Sequence, residues 1–537
     1  MGAGYHVVVL DVGKTNKKLF VYDDGLRCLN PDEPAAVFPQ VERDGVLADD
    51  MASILDWMLT GLGRAARQFK EVRCISISTH GATIALLGRK ENRVFRGDGG
   101  LVFPIVSYEQ EIDAEEDEGF YRDLELTPTE MQERTGTPRF RWLLNHGKQV
   151  YWLRRRFPER FAHVTDVLMF PQYLGYLLTG KKAAEPTYLG CHGYLLDIGG
   201  RRYSIVARRL GLLDKLPPLP FRHPWEPLGT LKKDVAAKTG LPRDCIVTLG
   251  VHDSNGALVP YFVKGFQRFV VQDSGTWVVT MSPCPEARFD KDELGKEVFF
   301  NRSISGEPVK TTIFRGGAEF DFYRERVLPG SPHPPDLDLQ LLRDILAGRR
   351  AFSLPTVEPG SGLFPDSVAR LEGVDTIFGN PATAWCVIDL GLAVQGYHAI
   401  SLAAGGSASF GLLAPGSAAQ RPAPGPQMST SLSAASKGAP REVFIEGNIG
   451  RNNPTYRAVI STLLPKARVS FGSTGGAAYG AAILGAAAAE GKRPEELGDR
   501  CHLELQEVPK LDLDPAHLRR YVEAFLARVR SRPPRRT

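Results

Sequence analysis

Residues 7–22 read VVVLDVGKTNKKLFVY. Tyr5 to Leu10 is an apolar, β-branched run of strand length, ended by Asp11 and Gly13. A second run, Leu19 to Tyr22, follows after too few residues for a helix. The two therefore read as a hairpin, closed beyond by Asp23-Asp24-Gly25. The turn holds Asp11, Gly13, Lys14, Thr15, Asn16, Lys17 and Lys18. Glycine there lets backbone N–H groups face an anion. Lysines add mobile positive charge, and an aspartate at a strand end can hold Mg²⁺. The plain alternative is a tight hairpin with solvated lysines, since Asp-x-Gly alone is common in turns. GxxxxGK[ST] is absent and a strand follows, so this is not a Walker A loop.

Residues 268–280, RFVVQDSGTWVVT, repeat the plan: strand, Asp273, one residue, Gly275, the hydroxyl residue Thr276, strand. Two such units half a chain apart suggest two related domains. Their turns can clamp one polyphosphate from two sides, although each by itself is again readable as a hairpin.

Between them, Asp49 and Asp50 can cap a helix with apolar residues at Ile54, Leu55, Met58, Leu62 and Phe69. A strand, Cys74 to Ser78, breaks at Thr79-His80-Gly81. Val150 to Leu178 reads as mostly helical, interrupted at Pro158, and another helix ends at Gly240. The strand Ile246 to Leu249 runs into Gly-Val-His-Asp-Ser-Asn-Gly. Asp253, at such a strand end, is placed to take a proton from an attacking hydroxyl, or simply to cap a helix. His80 can reach a polar ligand or be an ordinary hydrogen-bonded strand-end residue. Gly475, Gly476 and Gly480 punctuate a small-residue helix that can pack closely on a neighbour.

The 537 residues are too many for one core. Hydrophobic residues are 43% and charged residues 24%, as in ordinary globular proteins. A net charge of +4 gives no reason to expect a nucleic-acid partner. The seven scattered cysteines form no CxxC pair, which suits reduced thiols in a cytoplasm and speaks against a disulfide framework or a zinc site. No signal peptide or membrane-spanning run is expected; the Ala-rich stretch at 477–489 is too short. Residues 415–440, rich in Ala, Pro, Ser and Gly, read as a flexible insertion. Glu115 to Glu118 reads as a solvated face, and Arg528 to Arg536 as a frayed tail. HExxH and GxSxG motifs are absent, so metalloprotease and serine hydrolase readings have no support.

In order along the chain, these segments resemble the FGGY family of carbohydrate kinases, over roughly Val7 to Ala489. DVGKTNKK and DSGTW resemble its two phosphate loops. VYWLRRRFPERF and LGYLLTG resemble its central helices, and GYLLD the stretch after them. LGTLKKDVAAKTGLPRDCIVTLGVHDSNGAL resembles the segment presenting its catalytic aspartate. EGNIGRNNPTYRAVISTLLP and STGGAAYGAAILGA resemble its C-terminal signature and adenosine region.

The resemblance implies an α/β fold of two ribonuclease H-like (actin-like) domains around a central cleft for ATP and sugar. Residues 1–245 and 246–500 would be the domains and 501–537 an extension. It implies ATP-dependent phosphorylation of a small-molecule sugar, of ketose or deoxyketose type (fuculose, rhamnulose or xylulose), with Mg²⁺. Asp253 falls at the general base and Asp11 at the Mg²⁺-associated aspartate. Gly13, Lys14, Thr15, Asn16, Lys18, Gly275, Thr276, Gly316, Gly317 and Gly480 fall with the nucleotide. His80 and Gly81 fall at the sugar, and Tyr108 is a candidate beside them. A cytoplasmic enzyme without membrane or nucleic-acid partners is expected, with room for a homodimer. Two departures stand out. Lys14 replaces a small or hydroxyl residue, and VSYEQEID at 106–113 stands where the family has Trp-x-Asp-x-Arg. The alternative classes are a non-catalytic, ATP-gated binding protein of the actin/Hsp70 kind and a degenerate sugar sensor.

Overall fold

The structure, a computed structural model, describes residues 4–89, 94, 97–334, 336–405, 441–473 and 475–530. The expected insertion at 415–440 and most of the Arg/Pro-rich tail lie outside them.

The opening hairpin forms as its sequence dictates. His6–Val12 pairs antiparallel with Asn16–Asp23, setting Asp11 opposite Lys18 and Val12 opposite Lys17. Val7 to Leu10 are wholly buried, so both faces of the strand are covered. On its other side it pairs in parallel with Val72–Thr79. Parallel strands Ile246–Thr248 and Val251–His252 follow, and Pro227–Thr230 closes that edge antiparallel.

The second sheet repeats this order. Phe269–Ser274 pairs antiparallel with Val278–Pro283 and parallel with Glu442–Glu446. Parallel Arg468–Ser473 and antiparallel Glu504–Glu507 complete it on that side. Pro308–Phe314 and Val298–Arg302 extend the hairpin side. The Asp-x-Gly echo therefore marks a repeated architecture, two mixed α/β halves of ribonuclease H-like plan. The boundary expected at 245/246 falls ahead of the last two strands of the first sheet. The chain passes to the second sheet through the helix Asp253–Val263.

That helix is a wedge between the sheets. Val259 and Val263 pack with Val7, Val9 and Cys74 of the first sheet. Leu258 and Tyr261 pack with Phe269, Val271 and Phe444 of the second. Beside it runs Gly476–Glu490, pressed on the first sheet through Gly485, whose missing Cβ would stand 2.5 Å from Val7. The two helices touch backbone to backbone: a Cβ on Gly480 would lie 1.9 Å from the Gly256 carbonyl oxygen.

Three expectations need correction. Val150 to Leu178 is not all helix: Asp166–Met169 is a strand paired with Ile84–Leu87. Its apolar run is too short for periodicity to separate strand from helix. The helix Pro381–Ala403 is long and apolar enough to cross a bilayer, but 94% of its apolar window is enclosed by protein and it forms the second core. The acidic run is only partly solvated, because Asp117 binds the buried Lys148 ammonium at 2.6 Å.

Replacing Gly480 with alanine forces the two helices apart, and overpacking of this kind costs about 1–3 kcal/mol. Denaturant unfolding of Gly480→Ala is expected to show a lower midpoint at unchanged slope; an unmoved midpoint would contradict the contact.

Candidate active site

Three carboxylates converge where the sheets face each other. Asp11 and Asp273 stand in corresponding strands, just before the turns that Gly13 and Gly275 begin. Each turn is closed by its glycine N–H, Gly13 N donating to Asn16 O and Gly275 N to Trp277 O, each at 3.0 Å, the second turn being one residue shorter. Asp253 is the first residue of the wedge helix, and its Oδ1 accepts from Ser254 N at 2.6 Å. It is thus one residue inside the cap position, held by Val251–His252 behind it and by Gly256 against Gly480.

Asp11 and Asp253 are half-buried and Asp273 is exposed, all three crowded by surrounding protein. Burial, then the Asp253 charge, pushes Asp11 up to about 7 against the pull of Lys18. Burial and Asp253 push Asp273 up to about 6, and burial pushes Asp253 up to about 6. An all-oxygen donor set with excess negative charge fits a hard divalent cation such as Mg²⁺.

The second turn is built into a glycine-rich surface of the second half. Gly317 N donates to Thr276 O at 3.2 Å, and a Cβ on Gly317 would lie 2.7 Å from Gly275 O. Gly316 packs on Val278, its Cβ position 2.4 Å away. Gly275, Thr276, Gly316 and Gly317 are therefore brought together. Gly447, at φ +82°, joins them, since a Cβ there would sit 2.5 Å from Asp273 Oδ1. Gly480 stands apart, buried in the helix contact. Thr15 and Asn16 are exposed at the tip of the first turn, while buried Lys17 staples it through Lys14 O at 2.7 Å.

Lys14 turns away from that tip. Its Nζ binds Asp49 Oδ1 at 2.7 Å and Ser107 Oγ at 2.9 Å, and lies 4.8 Å from the Tyr108 ring centre. Asp50 caps the helix Met51–Gln68, which frees Asp49 for this role. His80 joins from the end of Val72–Thr79, its ring 6.0 Å from that of Tyr108. Burial lowers His80 to about 4, so the imidazole is neutral. Its Nδ1 lies 3.0 Å from the Gly81 carbonyl and so carries the hydrogen, leaving Nε2 an acceptor. Nε2 is 3.7 Å from Asp49 Oδ2, itself a buried acceptor without a hydrogen-bond partner. A donor hydroxyl suits the space between two acceptors. Gln110 instead holds Leu47 N, and Glu109 is exposed against Gln40.

The sequence missed Asp49, Ser107 and Gly447 as members of this constellation, and named Asp273 only as part of the second turn. Only Asp273 had a signal, its match to Asp11.

Residues 6–260 match the N-terminal domain of the FGGY family of carbohydrate kinases, and residues 266–394 the carbohydrate kinase FGGY C-terminal domain. A rhamnulokinase of Bacteroides thetaiotaomicron is 26% identical over 44% of this chain and 46% of its own. An L-fuculokinase of Escherichia coli is 25% identical over 51% of this chain and 56% of its own. The chain thus spans about half the length of the curated relatives it matches. A carbohydrate kinase from Novosphingobium aromaticivorans superposes with a TM-score of 0.74 at 25% identity, covering 98% of this chain and 99% of that one. A gluconate kinase from Lactobacillus acidophilus shares the fold, with a TM-score of 0.76 at 15% identity over 99% of both chains.

A carboxyl whose pKa is raised by folding costs stability once ionised; the cost is absent below its unfolded pKa and complete above its folded one. In nucleotide-free and Mg²⁺-free buffer, Asp253→Asn is expected to melt higher than the parent above pH 7. The gap should close as pH falls from about 6 to about 4. A gap independent of pH would show that Asp253 is not the strained acid described.

Proposed function

The chain belongs to the FGGY family of carbohydrate kinases, and on that premise we propose that it transfers the γ-phosphoryl group of ATP to a sugar hydroxyl. The observation that carries this reading is the placement of Asp253 beside Asp11 and Asp273, between two corresponding glycine turns. Phosphoryl transfer needs in-line positioning and charge neutralisation more than covalent help from the protein. The turns at 13–16 and 275–277 would hold the phosphates from opposite halves, with Lys18 beside Asp11. Asp11 and Asp273 would hold Mg²⁺, which when bound offsets the phosphate charge. Asp253 would accept the hydroxyl proton as the new O–P bond forms and the bond to the ADP oxygen breaks.

The hydroxyls of the sugar would be read by the acceptor pair His80 Nε2 and Asp49 Oδ2, with Tyr108 and Lys14 completing that wall. Lys14 is thus assigned to the sugar rather than to the nucleotide, because its ammonium is spent on Asp49, Ser107 and Tyr108. The names of the relatives favour a deoxyketose substrate. A cleft between two halves excludes water and so limits wasteful hydrolysis of ATP. We place the enzyme in the cytoplasm, consistent with seven unpaired cysteines.

Asp253→Asn is expected to lower turnover by about 10²–10⁴ with ATP binding retained, as loss of a general base does. In the parent, kcat/KM should fall as pH drops through about 6, where the base becomes protonated. Undiminished turnover in the variant would remove Asp253 as the base. For Lys14→Met, steady-state kinetics should show KM for the sugar raised at least about fivefold with KM for ATP nearly unchanged, in line with about 1 kcal/mol for a lost hydrogen bond. The reverse split would return Lys14 to the nucleotide.

A further inference from the structure

Behind Asp253 lies a cluster that phosphoryl transfer leaves unused. Cys191 and His192 follow the short helix Pro186–Leu189, and His252 immediately precedes Asp253. Cys191 and His252 are fully enclosed. The ligand atoms of Cys191, His192 and His252 lie within 4.8 Å of one another. His146 adds a third imidazole nearby, buried and stacked on Tyr188, with neither ring nitrogen hydrogen-bonded.

Two spacings, Cys191 to His252 and His252 to Asp253, are those of a coordination polyhedron. Cys191 Sγ is 3.6 Å from His252 Nε2 and 2.8 Å from His192 Nδ1, a hydrogen-bond contact that an entering ion would open. His252 Nε2 is 3.3 Å from Asp253 Oδ1. A tetrahedral zinc ion, at about 2.3 Å from sulfur and about 2.0–2.1 Å from nitrogen or oxygen, requires S···N edges of about 3.6 Å and N···O edges of about 3.4 Å. Room for the ion comes from Gly81. A Cβ at Gly81 would stand 2.6 Å from His252 Nε2 and 3.0 Å from His192 Nδ1, so glycine leaves open the space on which both rings converge.

We propose that Cys191, His192, His252 and Asp253 form a second metal site, for a borderline-soft divalent cation of the zinc class, and that filling it takes the general base out of action. Thiolate and imidazole select such a cation over Mg²⁺, which prefers oxygen, so the Mg²⁺-ATP side is left alone. Binding displaces the Cys191 thiol proton to solvent as the metal–sulfur bond forms, and the ion sheds water. Asp253 Oδ1, as fourth ligand, can then no longer accept a hydroxyl proton. The same ion occupies the floor beside Gly81, where the sugar would sit, so inhibition is competitive with sugar and not with ATP. This consequence rests on Asp253 being the base; the metal site itself does not.

The test has two readouts. Co²⁺ titrated into the full chain should give one equivalent of tight binding, with a thiolate-to-cobalt charge-transfer band and tetrahedral visible absorption. Cys191→Ser should abolish the charge-transfer band, and His192→Asn should weaken binding at least tenfold. In a kinase assay with Mg²⁺-ATP, Zn²⁺ should inhibit competitively with sugar and chelator should reverse it. Cys191→Ser should keep its activity and need at least tenfold more Zn²⁺ for the same inhibition. No charge-transfer band in the parent protein overturns the site. A band with Zn²⁺ inhibition that is equal in Cys191→Ser overturns the link to the base. Absence of kinase activity would count against the proposed function while leaving the cobalt result decisive for the site.

Discussion

The contact between Gly256 and Gly480 is the constraint on which the site depends. Two helices drawn from distant parts of the chain meet with no side chain between them. One of them is the wedge between the two sheets and begins with Asp253. Because Leu258 and Tyr261 face one sheet while Val259 and Val263 face the other, the acid at its first turn is fixed relative to both phosphate turns at once. A side chain at Gly480 would move the proposed base before it touched any reacting atom.

The acids held in place there are electrostatically unfavourable in isolation. The Asp253 charge raises the pKa of both Asp11 and Asp273, against the pull of Ser78 and Lys18 on Asp11, while Asp253 itself is raised by burial and eased by Ser254. Such strain is typical of sites that complete themselves with ligand charge. On the proposed sugar side, Asp49 Oδ2 is a buried acceptor without a hydrogen-bond partner, 3.7 Å from His80 Nε2. The two halves are also tied across the cleft, since Glu358 binds Arg141 from the first half and Arg315 from the second. Arg315 leads into Gly316 and lies over the Trp277 ring of the second turn, so this tie reaches that turn directly.

The fold was legible where the signal was local. Both Asp-x-Gly hairpins, the helix capped at Asp50, and the Gly240 stop follow from strand length, capping and left-handed glycine. The strand Asp166–Met169 was not, because its pairing with Ile84–Leu87 is set by a distant segment. The same limit governed the site. Asp253 and the two turns stood out, since each ends a strand beside glycine. Asp49 did not, because a residue before a helix reads first as a cap, and only the fold shows that Asp50 does the capping. Nor could spacing reveal Cys191 and His252, which lie 61 residues apart and meet through tertiary packing; the scattered cysteines spoke against a metal centre only in the sense that they lacked a local motif.

The most direct measurement is ³¹P NMR of the protein with Mg²⁺-ATP and a panel of ketoses, deoxyketoses, aldoses and polyols in both enantiomeric series. If Asp253 and the two turns transfer phosphate to sugar, ADP and a single sugar phosphate grow in equal amounts with one small group of sugars, and little ATP is lost without them. ADP released at the same rate whether or not sugar is present, or no sugar phosphate from any member of the panel, would contradict that assignment.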